Sequence, residues 1–201
     1  ENISIKNNLK KFIQSKKTWC ASSTHETEEI FCGLAHKELR KKYKNLLTII
    51  IPRHVERSKN IEESLKELNL KTHFHESKFK LEDDTDIYIV NSYGKTKSFY
   101  NNCKNIFLGG SIINHGGQNP LEATRFGCNI IHGPNVSNFD EIYQFLKTKK
   151  ISTKINSVKQ LVVALKKVFN KKPNSKFVQK KLNFIGRKIL DKTYREIGSF
   201  L

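Results

Sequence analysis

The stretch LLTIIIPRHVERSKNIEESLKELNL, Leu46 to Leu70, joins two kinds of hydrophobic pattern. Its first part is apolar without alternation and is closed by Pro52, the pattern of a strand buried on both faces of a parallel sheet. Its second part, ERSKNIEESLKELNL, places Ile61, Leu65 and Leu68 on one helical face and charged residues on the others. The same strand-then-helix unit recurs on either side. Upstream, NISIKNNLKKFIQSKK reads as a helix, and TWCASS as a strand ending in small hydroxyl residues. THETEEIFCGLAHKELRKKY then reads as a helix capped by Ser23 or Thr24, with carboxylates crowding its first turn. Downstream, THFHES, DIYIVN, NIFLGG, CNIIHGP and KISTKI read as strands. Between and after them, GKTKSFYNNC, NPLEATRFG, NFDEIYQFLKT, SVKQLVVALKKVFN and the C-terminal SKFVQKKLNFIGRKILDKTYREIGSFL read as helices. This alternation predicts an α/β fold: a Rossmann-like parallel sheet with helices on both faces. Ligands of such sheets sit outside the carboxyl ends of the strands, so function is expected in the loops there.

Composition narrows the classes of function. With 201 residues and 37% hydrophobic content the chain is able to bury a core. Its apolar runs are too short to span a bilayer. It contains no methionine, which predicts a fragment lacking an N-terminal part. Cys20, Cys32, Cys103 and Cys128 form no CxxC pair, which argues against zinc and a disulfide framework and suits a reducing compartment. His73 and His75 form an HxH pair without an evident third ligand, so no metal is expected. The formal net charge of +18 comes from lysines spread along the chain. Such spread suits solvated helix faces, or attraction to anionic headgroups or nucleic acid. Base-stacking aromatics are not interleaved among the lysines, so nucleic acid is not the expected partner.

More than half of the ten glycines lie in GGSIINHGGQNPLEATRFGCNIIHGP, Gly109 to Pro134, around a single carboxylate, Glu122. Two GG pairs flank a loop, and Asn119-Pro120 reads as cap and first position of a helix whose N-terminus suits phosphate. Glu122, in that first turn, either complements the helix dipole or accepts hydrogen bonds from a neutral diol such as a ribose. Arg53 follows a buried strand, where a guanidinium forks onto phosphate or carboxylate. His25 opens a helix within reach of a ligand, a position as often structural. No GxGxxG with a following acid and no GxxxxGK[ST] is present. LEDDTD, on the amino side of a strand, reads as a turn and not a metal site.

In this order, ASSTHETEE, IIIPRHVER, NSYGK and GGSIINHGGQNPLEATRFGCNIIHGPNVSNFDEI resemble the C-terminal half of 3-deoxy-D-manno-octulosonic acid (Kdo) transferases, roughly from Thr18 to Leu146. The resemblance implies the C-terminal half of a GT-B fold. Residues 1–17 would be a linker helix from a missing N-terminal domain, residues 18–170 the nucleotide-sugar-binding domain, and residues 171–201 a helix returning toward the missing domain. It implies transfer of Kdo from CMP-Kdo to a lipid A precursor (lipid IV-A), with release of CMP, in lipopolysaccharide synthesis at the cytoplasmic face of the inner membrane. Its partners would be CMP-Kdo, the lipid A precursor and the anionic membrane surface, with no cofactor and no metal. The CMP-binding residues carried over are Pro52, Arg53, Tyr93, Gly94, Lys95, Asn119, Pro120, Leu121 and Glu122, with Gly109, Gly110 and Ser111 as a sugar or phosphate loop. No catalytic residue falls in this chain, because the family's base is a glutamate of the N-terminal domain.

The chain departs from the family pattern in three places. Asn91-Ser92-Tyr93-Gly94-Lys95 stands where Asp-Thr-x-Gly-Glu is usual, Thr27 replaces a glycine, and Gln118 replaces a histidine. Two other readings remain open on the residues alone: another GT-B enzyme using a UDP-sugar (a transferase or epimerase), and a basic non-enzymatic module for RNA or anionic lipid.

Overall fold

A computed structural model describes residues 5–170. The chain runs α1 (Asn7–Ser15), β1 (Lys17–Thr24), α2 (Glu28–Arg40), β2 (Leu46–Pro52), a 3-10 turn at Val55–Arg57, α3 (Ser58–Glu67), β3 (Thr72–Phe74) and β4 (Ile87–Ile89). It continues with α4 (Thr96–Asn102), β5 (Asn105–Leu108), α5 (Leu121–Arg125), β6 (Asn129–His132), a 3-10 turn at Ser137–Phe139, α6 (Asp140–Thr148), β7 (Ser152–Lys154) and α7 (Val158–Phe169). The seven strands form one sheet in the order β3-β4-β2-β1-β5-β6-β7, with every neighbouring pair parallel. The expected Rossmann-like sheet is therefore present. The C-terminal helix expected over 171–201 lies outside the described residues.

Why β2 reads as it does is plain from its surroundings. All seven of its residues are buried, because helices cover both faces of the sheet. Leu47, Ile49 and Ile51 pack on one side with Leu9 and Ile13 of α1, Phe99 and Tyr100 of α4, Ala123 of α5 and Leu146 of α6. Leu46 and Ile50 pack on the other with Leu39 of α2, Leu65 of α3 and Leu165 of α7. The one polar residue of the strand, Thr48, is satisfied by His36 Nδ1 at 2.8 Å. His36 Nε2 in turn meets Asp86 Oδ1 at 3.2 Å, and Arg40 reaches the same oxygen at 2.7 Å. Asp86, the last acid of LEDDTD, is thus a buried anchor between α2 and β4. All four cysteines are free and buried.

The strand order positions the site. From β1 the chain moves to β2 on one side, and after β4 it crosses back so that β5 lands on the other side of β1. The order reverses between β1 and β5, and in sheets of this kind the carboxyl ends of the strands at such a reversal are the place for a ligand.

Two helix starts differ from the sequence expectation. α2 is capped by neither Ser23 nor Thr24. Its first turn begins after Thr27, because Ser23 and Thr24 stay in β1, where a bulge shifts the register between Ser22 and Thr24. α5 begins at Leu121 with Pro120 at the cap position, and Asn119 Oδ1 accepts the Leu121 N–H at 3.0 Å. At five residues α5 carries only a small dipole, and its first amide is already used, so it is a weaker phosphate seat than the sequence suggested.

Candidate functional site

The loops at the carboxyl ends of β1 and β5 are held together by Glu28. Its side chain is fully buried. One oxygen accepts the N–H groups of His25 at 3.0 Å and Gly110 at 2.7 Å. The other accepts those of Ser111 at 3.0 Å and Ile112 at 2.9 Å. A carboxylate that accepts several amides is well matched to a turn whose N–H groups point one way. The Gly109 N–H goes to Ser22 O at 2.9 Å, so the amides of residues 109–112 are all committed within the protein. The GGS turn of Gly109, Gly110 and Ser111 therefore keeps these amides for the protein. What it offers is a shaped, side-chain-poor floor.

Glycine is required here for packing. A Cβ on Gly109 would lie 2.4 Å from Ser23 O, and one on Gly133 would lie 2.1 Å from Ser111 O. Ser111 Oγ accepts the Gly133 N–H at 2.8 Å, and Asn135 N donates to Ser111 O at 2.9 Å, which fastens the β6 loop onto the GGS turn. Farther along, Gly117 N donates to Gly110 O at 2.8 Å and Tyr143 OH of α6 donates to Gln118 O at 2.8 Å. The second carboxylate of α2, Glu29, receives both guanidinium nitrogens of Arg57 at 3.1 and 3.3 Å, which ties the loop after β2 to α2. Burial raises the Glu29 carboxyl above its usual range, against the pull of Arg57. Neither glutamate was singled out from sequence. The available signal was a pair of acids directly after the small-residue end of a strand at the point where strand order reverses.

Above this floor the crevice is lined by imidazoles. His25 lies against His115 with ring centroids 4.1 Å apart and meets the edge of His54 at 6.1 Å. Gln118 Nε2 is 3.4 Å from His25 Nε2. Burial and then the neighbouring His115 hold His25 below the usual histidine range, with His54 and Arg53 adding to the effect and Glu28 opposing it. Pro52 is buried opposite Thr24, and the backbone N–H of Arg53 is held by Thr24 O at 2.9 Å. The Arg53 side chain stays exposed at the mouth of the crevice.

The remaining expected residues sit on the neighbouring rim. Tyr93 is 61% exposed, and its hydroxyl donates to Glu56 Oε1 at 2.7 Å, bridging the loops after β4 and β2. Gly94 adopts φ +74 with open space where a side chain would be. Lys95 precedes α4, and Asn91 Oδ1 accepts the Glu76 N–H at 3.0 Å. Glu122 on α5 is half exposed and faces Lys97 of α4 at 3.9 Å. So the two runs, Tyr93–Lys95 and Asn119–Glu122, are neighbours through Lys97, while Pro52, Arg53 and Gly109–Ser111 surround the switch point. A cavity of about 570 Å³ elsewhere is lined by Lys17, Tyr43, Asn45, Asn105 and Phe169. It borders the amino ends of β1 and β5, opposite the carboxyl ends at which ligands of such sheets generally sit.

No family model matches the chain. It is 30% identical over 177 residues to the 3-deoxy-D-manno-octulosonic acid transferase of Haemophilus influenzae, covering 88% of this chain and 41% of that protein. It is 31% identical over 200 residues to the enzyme of the same name from Rickettsia bellii, covering 96% of this chain and 47% of that protein. The chain thus spans less than half the length of these curated relatives. Among solved structures, the C-terminal CMP-Kdo binding domain of WaaA from Acinetobacter baumannii superposes with a TM-score of 0.78 at 23% identity, covering 87% of this chain and 91% of that one. That likeness establishes the fold.

Proposed function

The chain is a homologue of the 3-deoxy-D-manno-octulosonic acid transferases over most of its own length, and we propose that it is the donor-binding part of a glycosyltransferase that moves Kdo from CMP-Kdo to a lipid A precursor. The observation that carries this reading is the match to those enzymes over 88% and 96% of the chain. In the proposed complex CMP lies across the carboxyl ends of the strands. Arg53, presented by the buried Pro52, faces the phosphate. Glu122, on the rim beside Lys97, accepts the ribose hydroxyls. The turn at Tyr93-Gly94-Lys95 meets the nucleotide through its backbone, where the open space beside Gly94 permits close approach. A backbone contact there tolerates Lys95 in place of the usual glutamate.

The chemistry proposed is direct displacement at the sugar. A carboxylate from the N-terminal part of the enzyme takes the proton of the acceptor hydroxyl, and Arg53 stabilises the departing CMP phosphate. The basic surface, with a formal net charge of +18, would hold the enzyme against anionic headgroups at the cytoplasmic face of the inner membrane. No described helix is long and apolar enough to cross a membrane. The test is titration calorimetry of CMP and UDP against the full-length protein carrying this chain. Saturable CMP binding with weaker UDP binding is expected, and a folded protein that ignores CMP would overturn the reading.

A further inference from the structure

We propose that His25, His54 and His115, with Arg53, form a protonatable cradle for an oxyanion of the donor, so that ligand binding draws a proton onto the imidazoles. The inference rests on the donor-binding reading above and adds a subsite to it.

Three strand-end loops bring these rings together. His25 follows β1, His54 follows β2 and His115 follows β5, with ring centroids 4.1 Å apart for His25 and His115 and 6.1 Å apart for His25 and His54. Gly110 lies beneath them at φ +62, and a Cβ there would come within 3.2 Å of His115 and 3.3 Å of both His25 and Gln118. The floor of the cluster therefore carries no side chain. Each charged group facing His25 can be named. Arg53 and His54 approach from the loop after β2, His115 from the loop after β5, and Glu28 from the start of α2. Glu28 is occupied by four backbone N–H groups and fully buried, so the carboxylate does not face an incoming ligand. Near His54, Glu56 is engaged by the Tyr93 hydroxyl.

In the free protein, the long contact of 3.4 Å from Gln118 Nε2 to His25 Nε2 is compatible with an unprotonated ring nitrogen. Burial and the neighbouring His115, His54 and Arg53 also favour neutral His25. An oxyanion placed over Gly110 reverses that balance, because an opposite charge at contact distance raises an imidazole's pKa. The proton comes from solvent, and no bond of the ligand changes. Phosphate and the sugar carboxylate are the two oxyanions the donor carries, and the chemistry of the cradle suits both.

The test is titration calorimetry on the full-length protein at pH 7.5, in buffers of different ionisation enthalpy, with CMP, free Kdo and cytidine as ligands. Uptake of about half a proton per CMP is expected, equivalent to about a three-fold gain in affinity per unit from pH 8 to 7. Over that range the phosphate, with a second pKa near 6, contributes little of its own. Uptake with CMP assigns the cradle to phosphate, and uptake with Kdo but not CMP assigns it to carboxylate. The double variant His54→Asn/His115→Asn, both at exposed positions, should lose most of the uptake while remaining folded. CMP and Kdo both binding without proton uptake, equal uptake with cytidine, or unchanged uptake in the variant would each overturn the cradle and leave the donor-binding reading standing. Absence of any CMP binding would overturn that reading and the cradle with it.

Discussion

The carboxylate of Glu28 accepts the N–H of Gly110 at 2.7 Å although 82 residues separate them. The same side chain accepts the amides of His25, Ser111 and Ile112. A single residue at the start of α2 thereby decides the shape of the loop that leaves β5, and with it the floor of the crevice.

Replacing Glu28 by Gln puts an amide donor against backbone donors while leaving one acceptor. Leaving buried N–H groups unsatisfied costs about 1–3 kcal/mol apiece, so Glu28→Gln is expected to lose about 2–4 kcal/mol of stability. Urea denaturation at pH 7 measures it. A loss within experimental error would mean that the loop holds its shape without the carboxylate.

Two glycines should respond differently to the same substitution. Gly109→Ala forces a Cβ to within 2.4 Å of a backbone oxygen, and it is expected to cost about 3 kcal/mol, at the upper end of overpacking effects. At Gly94 there is free space but φ is +74, so Gly94→Ala should cost only about 1–2 kcal/mol of conformational strain. Paired thermal unfolding curves would test the ranking.

Thr27, which stands where the resembled motif carries glycine, adopts φ 73 and ψ −27. A β-branched residue in the left-handed region is strained by about 1–2 kcal/mol, whereas glycine loses about 0.5–1 kcal/mol of chain entropy. The strain term is the larger, so Thr27→Gly should raise stability by about 0.5–1 kcal/mol. A lower melting temperature in the variant would contradict this account.

Glu122 is proposed to hold ribose and makes a loose contact with Lys97, at 3.9 Å. Exposed pairs of this kind contribute little to stability. Glu122→Ala should therefore leave unfolding unchanged and weaken CMP about ten-fold, the loss of roughly one charged hydrogen bond. Equal CMP affinity in the two proteins would remove Glu122 from the site.

His132 is buried, with its ring 4.3 Å from that of Tyr143 and Nδ1 donating to Gly133 O at 2.7 Å. Burial pushes its pKa from 6.5 down to about 4, so the fold favours the neutral ring. The contribution is complete above pH 6.5 and is lost as pH falls toward 4, where the unfolded chain takes a proton that the folded one refuses. Between pH 7 and 5 this one residue should remove about 2 kcal/mol of stability. Denaturant midpoints for wild type and His132→Asn at both pH values check it, with the variant expected to show the shallower decline.

Much of the fold was legible because burial in a sheet covered on both faces leaves a local imprint. LLTIII, with helices on either side, announced a parallel strand before any contact was known. The alternation of strand and helix then placed Arg53 and Gly109 in strand-end loops and Glu122 in the first turn of the helix after one, where they are found. Helix starts were less legible. A serine or threonine before a helix looks like a cap, but a bulge in β1 kept Ser23 and Thr24 in the strand.

By itself, then, the sequence determined the α/β class, the number and direction of most strands, and which loops stand at the ligand end. These are properties of short windows, in which periodicity and turn residues act over a few positions. Tertiary structure alone decided that the GGS turn is clamped by Glu28, that Glu29 belongs to Arg57, and that three histidines from three loops meet above Gly110. The physical reason is that these contacts join segments distant in sequence. They exist only because β5 lands beside β1, where the strand order reverses.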